Sequence, residues 1–142
     1  MMKLLLDTHI LLWSLLDPAR LAMEVSAELE NSTNELWLSP ISTWEMIILA
    51  ERGRIVLDTE PVLWMRDVFK TIAFKEAPVN HEVAIQSRMI DLAQEDPADR
   101  FLVATAIVYD LTLVTADRRL IDSQACSILA NNANLQTGSD ET

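Results

Sequence analysis

The sequence has few of the residues that staple small proteins or build flexible linkers. Among 142 residues there are one cysteine, two glycines and five prolines. The lone cysteine, Cys126, excludes an intramolecular disulfide and a thiolate zinc site, and it favours a reducing compartment. Half of the residues are hydrophobic, which excludes a disordered chain. We therefore predict one folded domain in which Cys126 is a buried apolar residue.

Long hydrophobic runs are also missing. The run Leu4–Leu6 ends at Asp7, and the stretch Ile10–Leu16 is interrupted by Ser14. Neither approaches the roughly 20 apolar residues that a membrane-spanning helix needs, and the N-terminus lacks the apolar centre of a signal peptide. We expect a cytoplasmic protein without membrane contacts.

Basic residues are scarce, with 11 Lys and Arg against 22 Asp and Glu, so the formal net charge is −11. Such an excess of acid argues against nucleic-acid binding, because phosphate affinity comes mainly from Lys and Arg. However, Arg100, Arg118 and Arg119 directly follow the acidic residues Asp99 and Asp117. This placement keeps a nucleic-acid ligand possible.

Short apolar segments alternate with helical patterns along the chain. Alternation of this kind predicts an α/β fold with a mostly parallel central sheet and helices on both faces. The predicted strands are Lys3–Leu6, Glu35–Leu38, Phe74–Val79, Leu111–Thr115 and Cys126–Leu129. The predicted helices are His9–Leu16, Ala19–Glu30, Pro40–Arg52, Val62–Ile72, His81–Ala93, Pro97–Val108 and Arg118–Asp122.

Four acidic residues occupy positions that favour a functional site: Asp7, Glu45, Asp99 and Asp117. Asp7 and Asp117 each follow a predicted strand, and ligands of parallel sheets bind at the carboxyl ends of strands. Clustered carboxylates repel one another unless protons or a cation compensate them. Mg²⁺ or Mn²⁺ prefers oxygen ligands and can orient a water for attack on a phosphodiester.

Each acid also has a purely structural interpretation. Asp99 fits the third position of a capping box, and Asp7 and Asp117 fit helix N-caps. Glu45 could pair with Arg52. The functional interpretation therefore depends on the joint placement of the four acids.

Other polar and aromatic residues lie near the same strand ends. The hydroxyl of Thr115 could orient a carboxylate or a water, whereas Ser39 is interpreted as a helix cap. His9 lacks a histidine partner for metal binding and is assigned to packing or to a supporting role. Trp64 is our candidate for a subunit interface.

Four ordered motifs, LLLDTHILLW at 4–13, SPISTWEM at 39–46, DPADRFLVATA at 96–106 and LTLVTADRRL at 111–120, strongly resemble the PIN-domain nuclease family. They are most similar to the VapC-type toxins of bacterial toxin–antitoxin pairs. The resemblance runs over about residues 3–130 and implies a PIN-like three-layer domain over residues 1–130. The polar composition of residues 131–142 predicts a disordered tail.

The resemblance also implies roles for individual residues. Asp7, Glu45, Asp99 and Asp117 correspond to the catalytic, metal-binding acids, with Asp7 and Asp99 in direct contact with Mg²⁺ or Mn²⁺ and the other two acting through water. The implied activity is hydrolysis of RNA, the implied protein partner is an antitoxin, and a homodimer is expected. An acidic toxin would suit a basic antitoxin segment.

Candidate substrate contacts are Arg100, Arg118 and Thr115, with Arg119 also placed to meet phosphate. Ordinary salt bridges remain the alternative for each arginine. The competing function is a catalytically silent PIN-like module that only binds a partner, although acids at all four positions favour catalysis. A receiver or phosphatase domain is disfavoured, since His9 stands where phosphatases need a second Asp.

Overall fold

The computed structural model describes residues 1–93 and 95–132. Strands and helices alternate along these residues as predicted. Their bounds are β1 (Lys3–Leu6), α1 (Thr8–Leu16), a 3₁₀ turn (Pro18–Arg20), α2 (Met23–Glu30), β2 (Glu35–Leu38), α3 (Pro40–Glu51), α4 (Pro61–Thr71), β3 (Lys75–Glu76), α5 (His81–Ser87), α6 (Pro97–Val108), β4 (Thr112–Thr115), α7 (Arg118–Ser123) and β5 (Ile128–Ala130). Within the described ranges, no helix is both long enough and apolar enough to cross a membrane.

The five strands form one parallel sheet in the order β3-β2-β1-β4-β5. The chain builds outward from β1 to β3 and then crosses to the other side of β1 for β4 and β5. Strand order therefore reverses between β1 and β4, which is where a parallel sheet opens a crevice at its carboxyl ends. The predicted α/β fold is confirmed.

Strand β1 supplies side chains to both hydrophobic cores. Successive side chains of a strand point to opposite faces, so Leu4 and Leu6 enter one core and Leu5 enters the other. Helices α1 to α4 cover the first core with Ile10, Leu11, Val25, Met46, Met65 and Val68. Helices α6 and α7 cover the second core with Leu102, Val103, Ala106 and Leu120. The result is the expected three-layer arrangement.

The predicted helix Ala19–Glu30 is interrupted. A 3₁₀ turn is followed by extended backbone at Leu21 and Ala22, and α2 begins only at Met23. The amide of Ala22 donates to the side-chain oxygen of Asn131 at 2.5 Å, while the side-chain amide of Asn131 donates to the carbonyl of Arg20. A contact spanning 109 residues thus overrides the local helical preference.

The same contact changes the expected boundary of the tail. The predicted tail begins at Asn131, but this side chain is buried between the 3₁₀ turn and α2. The ordered domain therefore extends at least to this residue. The rest of the predicted tail, from residue 133 onward, lies outside the described residues.

Helix α5 is also shorter than the predicted helix His81–Ala93, because it ends at Ser87. The buried guanidinium of Arg100 accounts for this end. It donates to the carbonyls of Ser87 (2.9 Å), Ile90 (3.2 Å) and Leu92 (2.7 Å). These carbonyls are directed toward Arg100 instead of continuing a helical hydrogen-bond ladder.

The predicted strand Phe74–Val79 is reduced to a two-residue edge strand. The amide of Ala77 still donates to the carbonyl of Leu38, but Pro78 has no N–H with which to continue the ladder.

Trp64 packs on the first core, so its burial is explained within one copy of the chain. Cys126 packs on the second core, and burial raises the pKa of its thiol to about 11.

Candidate active site

A cleft of about 580 Å³ opens at the carboxyl ends of β1 and β4. It brings together the four acids singled out in the sequence, each delivered by a different element: Asp7 from the end of β1, Glu45 from α3, Asp99 from the first turn of α6 and Asp117 from the residues after β4. The strand reversal at β1 and β4 is therefore the feature that assembles this site.

Asp7 is buried and firmly held. One carboxylate oxygen accepts from the amide of Ile10 at 2.9 Å, which makes Asp7 the N-cap of α1. The other accepts from the hydroxyl of Thr115 at 2.5 Å. Burial raises the pKa of Asp7, although both hydrogen bonds favour the charged form and work in the opposite direction. A buried carboxylate oriented this strongly is suited to binding a cation.

The orientation of the Glu45 side chain is fixed by Thr8, the residue that follows Asp7. The hydroxyl of Thr8 donates to a carboxylate oxygen of Glu45. This bond links α1 to α3 beside the cleft. The alternative pairing of Glu45 with Arg52 has no counterpart among the ion pairs of the described residues.

The pKa of Asp99 is raised by its surroundings in the cleft. Burial, together with the negative charges of Asp96, Asp117 and Glu45, raises its pKa to about 6, and the nearby Arg119 only partly offsets this. Asp96 is the N-cap of α6, where it accepts from the amide of Ala98 at 2.9 Å. The capping interpretation therefore fits Asp96 and leaves the carboxylate of Asp99 facing the cleft.

The negative charge of Asp117 is compensated by groups of α7, the helix that it caps. It caps α7 by accepting from the amide of Arg119 at 2.9 Å, and the guanidinium of Arg119 lies 3.0 Å from its second oxygen. Partial burial raises the pKa of Asp117, but the hydrogen bonds and charge of Arg119 outweigh it and the net pKa is lowered. The same guanidinium lies 3.4 Å from Asp99. Arg119 thus bridges two of the four acids.

The donor chemistry of the cleft fits a hard divalent cation, since four carboxylates line one cavity. These carboxylates do not form a closed metal cage. Among residues 1–93 and 95–132, no group of three or more His, Cys, Asp and Glu side chains is arranged around one point. Mg²⁺ does not require such a cage, as it is usually held by one or two carboxylates together with waters and substrate phosphate.

Comparison with known proteins decides the family. The sequence model of the PIN domain matches residues 4–124. This chain belongs to the PIN domain family. It is also 36% identical over 123 residues to Ribonuclease VapC22 of Mycobacterium tuberculosis, covering 84% of this chain and 91% of that relative.

Solved structures show the same PIN fold. VapBC2 from Rickettsia felis, bound to a DNA fragment from its promoter, aligns with a TM-score of 0.69 at 15% identity, covering 91% of this chain and 98% of that one. FitAcB from Neisseria gonorrhoeae aligns with a TM-score of 0.67 at 20% identity, covering 89% of this chain and 96% of that one. The arrangement of strands in this PIN domain is thus shared by distant sequences.

Two of the substrate contacts predicted for this PIN domain, Arg100 and Thr115, are contradicted by the structure. Arg100 is only 6% exposed and binds backbone carbonyls, so its expected contact with phosphate is wrong. Thr115 is fully buried, so it does not touch substrate directly. Its hydroxyl instead orients Asp7 and accepts from the amide of Asp117 at 3.1 Å, which is the other role considered for it.

The third predicted contact, Arg118, lies outside the set of residues that line the cleft. Its guanidinium is 3.4 Å from Asp122 and 3.3 Å from the side chain of Asn132. The arginine that reaches the acids is its neighbour Arg119. Ser39 is buried and caps α3 by accepting from the amide of Ile41, as expected.

Aromatic side chains form part of the cleft walls, a role that the sequence patterns did not indicate. Trp13 and Trp44 both line the cleft, and Trp44 is 59% exposed. The ring centroids of His9 and Trp13 lie 5.8 Å apart, and the guanidinium of Arg20 lies over the Trp13 ring at 4.5 Å from its centroid. The signal in the sequence is that Trp44 directly precedes Glu45, but helical spacing alone does not distinguish it from a core residue.

We expect Asp99→Asn to stabilise the metal-free PIN domain at neutral pH. The pKa of Asp99 rises from 3.8 to about 6 on folding, so the folded chain binds this proton more tightly than the unfolded chain. The charge therefore opposes folding above pH 6, and the opposition fades as the pH falls toward 3.8. Thermal unfolding in chelator should show the largest gain for the variant near pH 8 and none near pH 4.

The control for this experiment is Asp67→Asn on the exposed surface of α4, which should show no such pH-dependent gain. A variant of Asp99 that is less stable than the wild type at pH 8 would contradict the expected repulsion. It would mean that the ion pair with Arg119 outweighs burial and the neighbouring acids.

Proposed function

We propose that this chain is a divalent-metal-dependent ribonuclease and the toxin of a toxin–antitoxin pair. The observation that carries the proposal is the convergence of Asp7, Glu45, Asp99 and Asp117 in one cleft. The relative that is 36% identical is itself named a ribonuclease, which supports the same chemistry. RNA phosphodiester hydrolysis is the proposed reaction.

The proposed cofactor is Mg²⁺ or Mn²⁺, held by Asp7 and Asp99 with support from Glu45 and Asp117. When bound, such an ion polarises phosphate oxygens and lowers the pKa of a bound water. The carboxylates of this chain supply the hard oxygen donors. Thr115 and Thr8 keep Asp7 and Glu45 in fixed orientations, and orientation of this kind is a major determinant of metal affinity.

The proposed substrate contacts combine charge with stacking surface. Arg119 places a guanidinium beside the acids, where it can bind a phosphate oxygen, and Arg118 remains a predicted contact at the outer side of α7. The exposed indole of Trp44 offers a surface on which an unpaired base can stack. These features favour single-stranded or locally unpaired RNA.

The proposed protein partner is an antitoxin. Structures similar in fold include toxin–antitoxin complexes, and the formal charge of −11 suits a partner with a basic segment. A homodimer and a cytoplasmic location remain predictions from the sequence.

The test is cleavage of a total-RNA pool by the purified chain in Mg²⁺ or Mn²⁺. We expect cleavage that stops when EDTA is added and returns when metal is supplied in excess. Cleavage that persists in EDTA would exclude metal dependence. Absence of both metal binding and cleavage would favour the catalytically silent partner-binding module.

A further inference from the structure

The guanidinium of Arg119 contacts carboxylate oxygens of Asp99 and Asp117, two of the acids proposed to hold or support a metal. One of its terminal nitrogens lies 3.0 Å from Asp117 Oδ2 and 3.4 Å from Asp99 Oδ2. Its Nε donates to Asp117 Oδ1 at 3.3 Å. The guanidinium is therefore inserted between two acids that come from α6 and from the end of β4.

No other basic side chain in the described ranges makes an ion pair with the acids of the cleft. Two arginines line the cleft, Arg52 and Arg119, against five acids, Asp7, Glu45, Asp96, Asp99 and Asp117, so its net charge is negative. Arg119 supplies a single positive charge that moderates this repulsion without a metal. Its side chain is 60% exposed, so it is free to swing away without disturbing a packed core.

We propose that Arg119 is a displaceable counter-cation: it pairs with Asp99 and Asp117 until a divalent metal, held by Asp7 and Asp99 with support from Glu45 and Asp117, takes its place, and it is then released to bind the phosphate of the substrate. The proposal rests on the metal site of the proposed function. Binding of metal and pairing of Arg119 compete for the same lone pairs, so each weakens the other by the same factor. Arg119 therefore lowers the affinity of the empty cleft for metal.

The chain offers a matched control for this idea in the adjacent residue. Arg118 carries the same charge on the same helix, but it pairs with Asp122 outside the cleft. Arg119→Gln and Arg118→Gln make identical changes in net charge. A general electrostatic effect would act on both variants, whereas competition for Asp99 and Asp117 acts only on the first.

The experiment is titration of the purified chain with Mn²⁺, with free ion measured by electron paramagnetic resonance. We expect Arg119→Gln to bind Mn²⁺ about fivefold more tightly than wild type, the scale of modest exposed ion pairs, and Arg118→Gln to stay within about twofold. Equal affinities in wild type and Arg119→Gln overturn the inference. Equal tightening in both variants also overturns it, because the effect would then be one of net charge.

A second measurement follows the guanidinium directly. On titration with diamagnetic Mg²⁺, the Nε–H resonance of Arg119 should shift as its bond to Asp117 breaks, while that of Arg118 should not. An unmoved Arg119 resonance in a chain that does bind Mg²⁺ overturns displacement and leaves the metal site intact. Absence of Mn²⁺ binding in wild type and both variants would instead overturn the metal site itself, and the inference with it.

Discussion

Asp7→Asn is expected to lower RNA cleavage by at least about 100-fold while the protein stays folded. Charge stabilisation at a bound metal is worth several kcal/mol, and each ~1.4 kcal/mol corresponds to a factor of about ten in rate. The fold should survive because asparagine keeps an oxygen for the amide of Ile10 and is a good N-cap. Cleavage assays in Mn²⁺ and thermal unfolding of the same preparation measure both effects.

The direction of the stability change follows from the pKa. Burial raises the pKa of Asp7, so its charge opposes folding at neutral pH, and a neutral amide should leave the unfolding temperature unchanged or higher. Asp17→Asn, an exposed change outside the cleft, is the matched control and should cleave like wild type. An unfolded Asp7→Asn variant would contradict the proposed role, since Asp7 would then be primarily structural.

Arg100→Met is expected to have the largest effect on stability. The variant keeps an unbranched apolar stem but removes the donor to the carbonyls of Ser87, Ile90 and Leu92. A buried carbonyl left without a donor costs about 1–3 kcal/mol, so the free energy of unfolding should fall by at least about 3 kcal/mol. Urea unfolding measures the loss, which corresponds to a fall of roughly 10 °C in the unfolding temperature.

The control is Arg66→Met on the exposed side of α4, where the same substitution should change stability by no more than about 0.5 kcal/mol. If Arg100→Met were as stable as this control, water would have to satisfy the three carbonyls. Arg100 would then be dispensable for the shape of the α5–α6 connection.

The positions of the catalytic candidates were predictable because they depend on local patterns. A short apolar run that stops at an acid marks the carboxyl end of a buried strand, and β1 and β4 are such runs followed by Asp7 and Asp117. Asp96 and Pro97 mark the start of α6, which fixes Asp99 within its first turn. Parallel strands bring their carboxyl ends to one edge, so the cleft followed from the fold class.

The roles of the arginines were not predictable in the same way. Arg100 and Arg119 both follow an acid in sequence, yet one is buried against carbonyls and the other bridges two carboxylates. The difference depends on which face of α6 meets the α5 connection and on the phase of the six-residue helix α7. Both are set by tertiary packing, which no local window of sequence contains.

Asn131, the residue after β5, is hydrogen-bonded to the segment between the 3₁₀ turn and α2. This contact determines where the chain can be cut or extended. A protein shortened to residue 130 would leave the amide of Ala22 and the carbonyl of Arg20 without their partners at the entry to α2. An affinity tag or fusion joined directly after β5 would crowd the same point. Expression boundaries for this domain should therefore be drawn after Asn132 and not at the last residue of the sheet.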